Sequence, residues 1–272
     1  MAVVLISRGT MSGVKLLMDR LVERTGVRCV SREDLVTLVN RHGELAKRIV
    51  ERLTDATKAY EDFCELRRPY LILMRAALLE YAQQDDLVYQ GVSGHLLVPP
   101  IRHFRTVRIH APRPLRMRMT MQRLQCTEAE ADRYIDRDDE DRTRWARFMY
   151  GKDIRDPSLY DVCINLKHTS VDMACNIVQG VMEDPDCQAT ADSRRMVDRL
   201  LLATRIEAAL LTDPRTDVIE VGARVTDGHA VVTGPYVDDA RRDTVLEIAG
   251  GVEGVEDVEY RCGFVPEFDA EA

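Results

Sequence analysis

None of the apolar runs in this chain of 272 residues approaches the roughly 18–20 residues that a membrane span needs. Positive charge is not in excess either: 38 Lys and Arg stand against 46 Asp and Glu, a formal net charge of −8. That balance argues against nonspecific nucleic-acid binding, which rests on a basic surface, so no nucleic-acid partner is expected. The first residues carry no basic leader and no small-residue cleavage site, and a cytoplasmic location is expected. The seven cysteines, at positions 29, 64, 126, 163, 175, 187 and 262, are odd in number and contain no C-x-x-C. Neither a disulfide framework nor a zinc site is expected from them, and no protein-held metal. The six histidines are dispersed. His95, beside Gly94, stands out, with a loop or core role as its plainer reading.

What is present begins at the N-terminus. Val3–Val4–Leu5–Ile6 reads as a buried parallel strand. Ser7–Arg8–Gly9–Thr10–Met11–Ser12–Gly13 is small, polar and glycine-containing. Val14, Leu17, Met18, Leu21 and Val22 then recur on one helical face. Strand, tight loop and helix aim backbone N–H groups and a helix dipole at a phosphate. A complete phosphate-binding loop reads G-x-x-x-x-G-K-[ST]. If Gly13 is its last glycine, Arg8 takes the place of the first, Val14 that of the lysine and Lys15 that of the Mg²⁺-binding hydroxyl.

Further apolar runs at Cys29–Val30, Leu87–Tyr89, Thr106–His110 and Val162–Asn165 read as strands. Between them, helical patterns cover Leu45 to Gln83, with a break at Pro69, and Thr127 to Arg147, opened by the capping box Thr127-x-x-Glu130. Pro112 and Pro114 read as the stop of the Thr106–His110 strand. A helical stripe from Val171 to Met182 follows the last of these strands. Strands alternating with helices imply a parallel sheet with helices on both faces, which binds ligands at the carboxyl ends of its strands. Residues 184–193 are polar and lose the periodicity, and the domain boundary is placed there. Beyond it the order is α-β-β-α-β, with Asp227–Gly228 as a two-residue hairpin turn. The expected fold is a parallel sheet flanked by helices over residues 1–183, and a small α+β domain over 194–265.

Ile6–Ser7–Arg8 with Ser12–Gly13 resembles the Ser-Arg-x-x-Gly-Ser-Gly-Gly-Arg opening of the cytidylate kinase-like family, with Met11 and Val14 in place of two glycines. Ser31–Arg32–Glu33 resembles that family's Asp-Arg-Glu element. Val88 to His95 resembles its strand and glycine turn, without an arginine at Val92. Asp136 to Phe148, followed by Asp156 to Asn165, resembles its lid helix and the Tyr-Asp-Leu-Val-Ile-Asn strand. The C-terminal unit resembles a BON domain, a type associated with phospholipid or partner contact.

The resemblance implies that the first domain is a P-loop kinase-type parallel sheet flanked by helices, with ATP and Mg²⁺ as cofactors and a nucleotide or small phosphorylated substrate. Arg8, Gly9, Thr10, Met11, Ser12, Gly13, Val14, Lys15 and Leu16 form the implied nucleotide loop, with Lys15 on the donor phosphates. Arg137 and Arg142 of the lid helix are the implied clamps on the transferred group; a solvated, salt-bridged helix face is the alternative. Arg32, Arg75 and Gly91 are the implied acceptor-binding residues. Arg108 faces either that site or a sheet edge, and Asp161 contacts nucleotide or caps a turn. The expected function is ATP-dependent phosphoryl transfer to a nucleoside monophosphate (CMP/dCMP-like) or another small phosphorylated acceptor. The alternative is an impaired, kinase-derived regulatory protein that binds nucleotide, with the BON-like domain attaching it to a membrane or a partner.

Overall fold

Val3–Arg8 forms β1 in the computed structural model, which describes residues 2–55, 64–84 and 86–265. Its neighbours are β3 (Leu87–Gly91) on one side and β4 (Phe104–His110) on the other, both parallel to it. β2 (Arg28–Ser31) and β5 (Val162–Asn165) complete the sheet, in the order β2-β3-β1-β4-β5. Val4, Ile6, Val107 and Ile109 share one sheet face and bury there against Val14, Leu17 and Leu21 of α1 (Val14–Thr25) and Ala174 and Val178 of α7 (Val171–Glu183). Val14, Leu17, Met18 and Leu21 of the α1 stripe therefore pack inward, whereas Val22, read as part of that stripe, is 42% exposed and Leu16 on the far side is 51% exposed. Asp161 fixes the entry to β5, since its carboxylate accepts from the Thr106 amide at 2.7 Å and the Thr106 hydroxyl at 2.8 Å. Its role is a strand clasp.

The chain divides by its internal contacts into two compact units, Met1–Arg32 with Asp85–Thr190, and Glu33–Gln84 with Ala191–Ala272. The first holds the parallel sheet, α1, α5 (Arg113–Leu124), α6 (Glu128–Tyr150) and α7. The second holds nearly all of α2 (Arg32–Val39), α3 (Glu44–Asp55), α4 (Cys64–Ala82), α8 (Ala191–Thr212) and α9 (Asp239–Gly250). It also holds a three-stranded sheet in the order β6 (Gly222–Thr226), β7 (His229–Gly234), β8 (Asp257–Cys262). Within residues 184–190 Cys187 is buried, and the Gln188 amide donates to the Met182 carbonyl at 2.6 Å.

Two local readings change. Pro69 lies inside α4 and does not break it. The missing N–H costs one bond near the helix start, while Tyr70 to Met74 and Ala76 to Leu79 are all buried, and burial on all sides is what an apolar helix requires. Pro112 and Pro114 are not merely a stop. Pro112 caps α5 and Pro114 sits in its first turn, where a proline's missing N–H has no intrahelical partner to lose. The expectation for residues 56–63, in the middle of the long helical pattern, lies outside the described residues. The capping box forms as read: Glu130 accepts the Thr127 amide at 2.8 Å while the Thr127 hydroxyl accepts the Glu130 amide at 3.4 Å. Asp227 (φ 48°) and Gly228 (φ 78°) are both left-handed, as a two-residue hairpin turn demands.

Candidate functional site

The loop after β1 turns through Gly9–Gly13 into α1. Met11 (φ 51°) and Gly13 (φ 83°) hold left-handed backbone. Gly13 does this at no steric cost, whereas a side chain at Met11 pays about 1 kcal/mol or more. The loop thus keeps a glycine-type conformation at Met11. Val14 opens the helix, where left-handed backbone is not needed.

Ser7 and Arg108 are register partners on β1 and β4, so their side chains lie side by side on the face opposite Ile6 and Val107. Arg108 is 6% exposed. Its Nη1 donates to Ser7 Oγ at 2.7 Å, and Ser7 Oγ donates to the Val92 carbonyl at 2.6 Å. The Tyr160 ring centroid lies 5.6 Å from the Arg108 guanidinium carbon, and its hydroxyl donates to the Ile154 carbonyl at 2.8 Å. Among the described residues no carboxylate pairs with Arg108 and its Nε has no partner. A buried charge is costly unless it is paired.

Arg108 opens onto a cavity of about 330 Å³ at the ends of β1 and β4. Arg8, Arg116 of α5, Arg142 of α6 and Arg155 line it with Ser12 and Asp139. Ser12 Oγ and Arg142 Nη1 are also buried without a partner. Three unused donors, Ser12 Oγ, Arg108 Nε and Arg142 Nη1, therefore meet one cavity. Burial, reinforced by the charges of Arg108 and Arg116, lowers the His110 pKa. Burial raises the pKa of the Asp139 carboxyl, but hydrogen bonds from Thr10 and Arg116 outweigh it and hold the group below its ordinary value. Beneath the site His95 packs on Tyr160 with ring centroids 4.7 Å apart. Burial first, then Arg108, lowers its pKa to about 3.

Of the residues singled out in sequence, Arg8, Gly9, Ser12 and Arg142 line this cavity. Thr10 is buried behind them. Lys15 is exposed on the first turn of α1 and is not in the lining. Arg137 is also exposed, 4.0 Å from Asp141. Arg32 starts α2, half-buried. Arg75 lies on α4, in the second unit, where its charge acts on Glu207. Gly91 ends β3, and a Cβ at Gly91 or Gly94 would strike the Tyr89 ring, so both glycines have a packing reason. Arg116, Asp139 and Arg155 escaped sequence reading, because they sit on a helix hidden by Pro114, within a charge run and in a loop.

A parallel sheet in this strand order, with a glycine-containing loop between β1 and its helix, defines the P-loop kinase class of fold. The chain belongs to the cytidylate kinase-like family, whose model matches residues 3–168, and a BON domain model matches residues 198–261. The family works in general with a nucleotide and a metal ion. No curated protein matches the chain. The crystal structure of an uncharacterized protein from Eubacterium ventriosum is similar at a TM-score of 0.53 and 17% identity, covering 68% of this chain and 99% of that one. Shikimate kinase from Bacteroides thetaiotaomicron matches at 0.39 and 11%, covering 67% and 99%. Dephospho-CoA kinase from Campylobacter jejuni matches at 0.37 and 13%, covering 66% and 97%. Among the described residues no helix is long and apolar enough to cross a membrane.

Proposed function

We propose that the first unit binds ATP with Mg²⁺ and transfers the terminal phosphoryl group to a nucleoside monophosphate (CMP/dCMP-like) or another small phosphorylated acceptor. One observation carries this reading: Ser12 Oγ, Arg108 Nε and Arg142 Nη1 are buried, unpartnered donors on a single cavity. Such donors fit phosphate oxygens, and aligning phosphates while neutralising their charge is most of what phosphoryl transfer asks of a protein. In the transfer the bond from the terminal phosphorus to the donor's bridging oxygen breaks and a bond to an acceptor oxygen forms. Arg108 and Arg142 bear the charge on the phosphoryl oxygens. Mg²⁺ would enter with the nucleotide phosphates and would help neutralise their charge.

A second reading has its own support. Lys15 is exposed, outside the cavity lining, and Met11 is left-handed without being glycine. Both favour a kinase-derived protein that binds nucleotide without turnover, with the BON domain attaching it to a membrane or a partner. A phosphoryl-transfer assay with ATP and Mg²⁺ against a panel of monophosphates, CMP and dCMP included, separates the two. In the kinase, Arg142→Met lowers turnover more than affinity. In the sensor no product forms with any acceptor, although ATP raises the melting temperature. Absence of both product and thermal shift at millimolar ATP would refute both readings.

A further inference from the structure

The phosphate loop of this chain already holds an anion, and that anion is its own. Asp139 on α6 accepts the Thr10 backbone N–H at 3.2 Å, and Asp138 accepts the Thr10 hydroxyl. Arg116 on α5 completes the cage. Its Nε donates to the Thr10 carbonyl at 2.6 Å and its Nη2 to Asp139 at 2.6 Å. Arg142 Nε donates to Asp138, also at 2.6 Å. A loop N–H and guanidinium groups converging on oxyanions is the donor set that a phosphate receives at such a loop.

We infer that Thr10, Arg116 and Arg142 form a subsite for a phosphate group of the ligand. The carboxylates of Asp138 and Asp139 fill this subsite until that phosphate displaces them. The inference rests on the phosphate-site reading above. Two anions cannot share one set of donors, because like charges at contact distance repel strongly in a partly buried site. Entry of the phosphate therefore releases α6 from Thr10. Arg116 and Arg142 lose their acidic partners in the same event and turn to the ligand. A second seam, Arg113 with Asp132 and Asp136, ties α5 to α6 without involving the loop.

The test is calorimetric titration of the full chain with inorganic tripolyphosphate. Asp139→Asn keeps the shape and removes the competing charge, so its affinity is expected to rise about tenfold, the scale of one charge-assisted hydrogen bond. Asp141→Asn removes a charge from the same helix, where it pairs with Arg137 and Arg144 rather than with the loop, and its change is expected to stay within about twofold. Equal or weaker binding by Asp139→Asn than by wild type overturns the subsite competition and leaves the phosphate site standing. So does an equal gain from Asp141→Asn, which assigns the effect to net charge. If neither wild type nor Asp139→Asn binds tripolyphosphate, the inference and the phosphate-site reading both fall. Should Asp139→Asn not fold, Asp138→Asn carries the same expectation and the same contrary outcomes.

Discussion

Each unit of this chain takes a charged side chain largely out of water, Glu207 at 12% side-chain exposure and Arg108 at 6%, and the two are treated in opposite ways. In the second unit Glu207, on α8, accepts the Ala223 amide at 2.9 Å and lies 3.8 Å from Arg68. Burial pushes its carboxyl pKa up, against the pull of the Ala223 amide, Arg68 and Arg75. Arg68 is engaged in turn by the Val221 carbonyl at 2.9 Å and by Glu220 at 3.7 Å. This charge is structural, with its partners supplied from α4 and β6. In the first unit, among the described residues, Arg108 has the Ser7 hydroxyl and the Tyr160 ring for company and no carboxylate. Burial alone does not separate the two cases. The supply of partners does: a completed network supports a fold, whereas idle donors beside a cavity are what the proposed phosphate ligand would use.

The largest effect expected of this contrast falls on Glu207. Glu207→Ala strips the Ala223 amide of its acceptor and Arg68 of one carboxylate, and is expected to destabilise the chain by about 3 kcal/mol, read as the midpoint of urea unfolding. A loss within experimental error would show that the second unit does not depend on this pair.

His95 gives the next effect, through pH. Between pH 6.5 and about 3 the unfolded chain takes up a proton that the buried imidazole refuses. Stability therefore falls as pH drops through 6.5, with this residue contributing a slope of up to about 1.4 kcal/mol per pH unit. Replacing His95 by Phe should flatten the stability profile between about pH 3 and 6.5, the window that these values define. An unchanged slope in the variant would place the imidazole in water.

Met11 is the smallest test. Met11→Gly relieves the left-handed backbone and is expected to stabilise by about 1 kcal/mol, less part of glycine's entropic cost. A loss of stability instead would mean that the Met11 side chain contributes more packing than its backbone costs.

Much of the architecture was legible because its signals are local. The β1–loop–α1 opening, the Thr127–Glu130 box and the Asp227–Gly228 turn each carry their own evidence within a few residues. Arg108 was harder, because alternation along Thr106–His110 says that it faces away from Val107 and Ile109 but not what covers that face. Ser7, 101 residues earlier in the chain, and Tyr160 decide it. Arg116 was hidden when Pro112 and Pro114 were taken only as a strand stop. The long helical pattern from Leu45 to Gln83 was visible, yet its packing partner was not: α4 lies against α8, more than a hundred residues on. Lys15 and Arg137 were chosen by family position, and their exposure depends on how α1 and α6 are rotated, which motif spacing does not fix.

The most direct test of the phosphate site pairs two measurements on Arg108→Met, the affinity for ATP with Mg²⁺ and the free energy of unfolding. If Arg108 is held in place for an anion, affinity should fall about a hundredfold while unliganded stability stays level or rises, because an uncompensated buried charge has been removed. Unchanged affinity accompanied by a loss of stability would contradict the account and make Arg108, like Glu207, a structural charge.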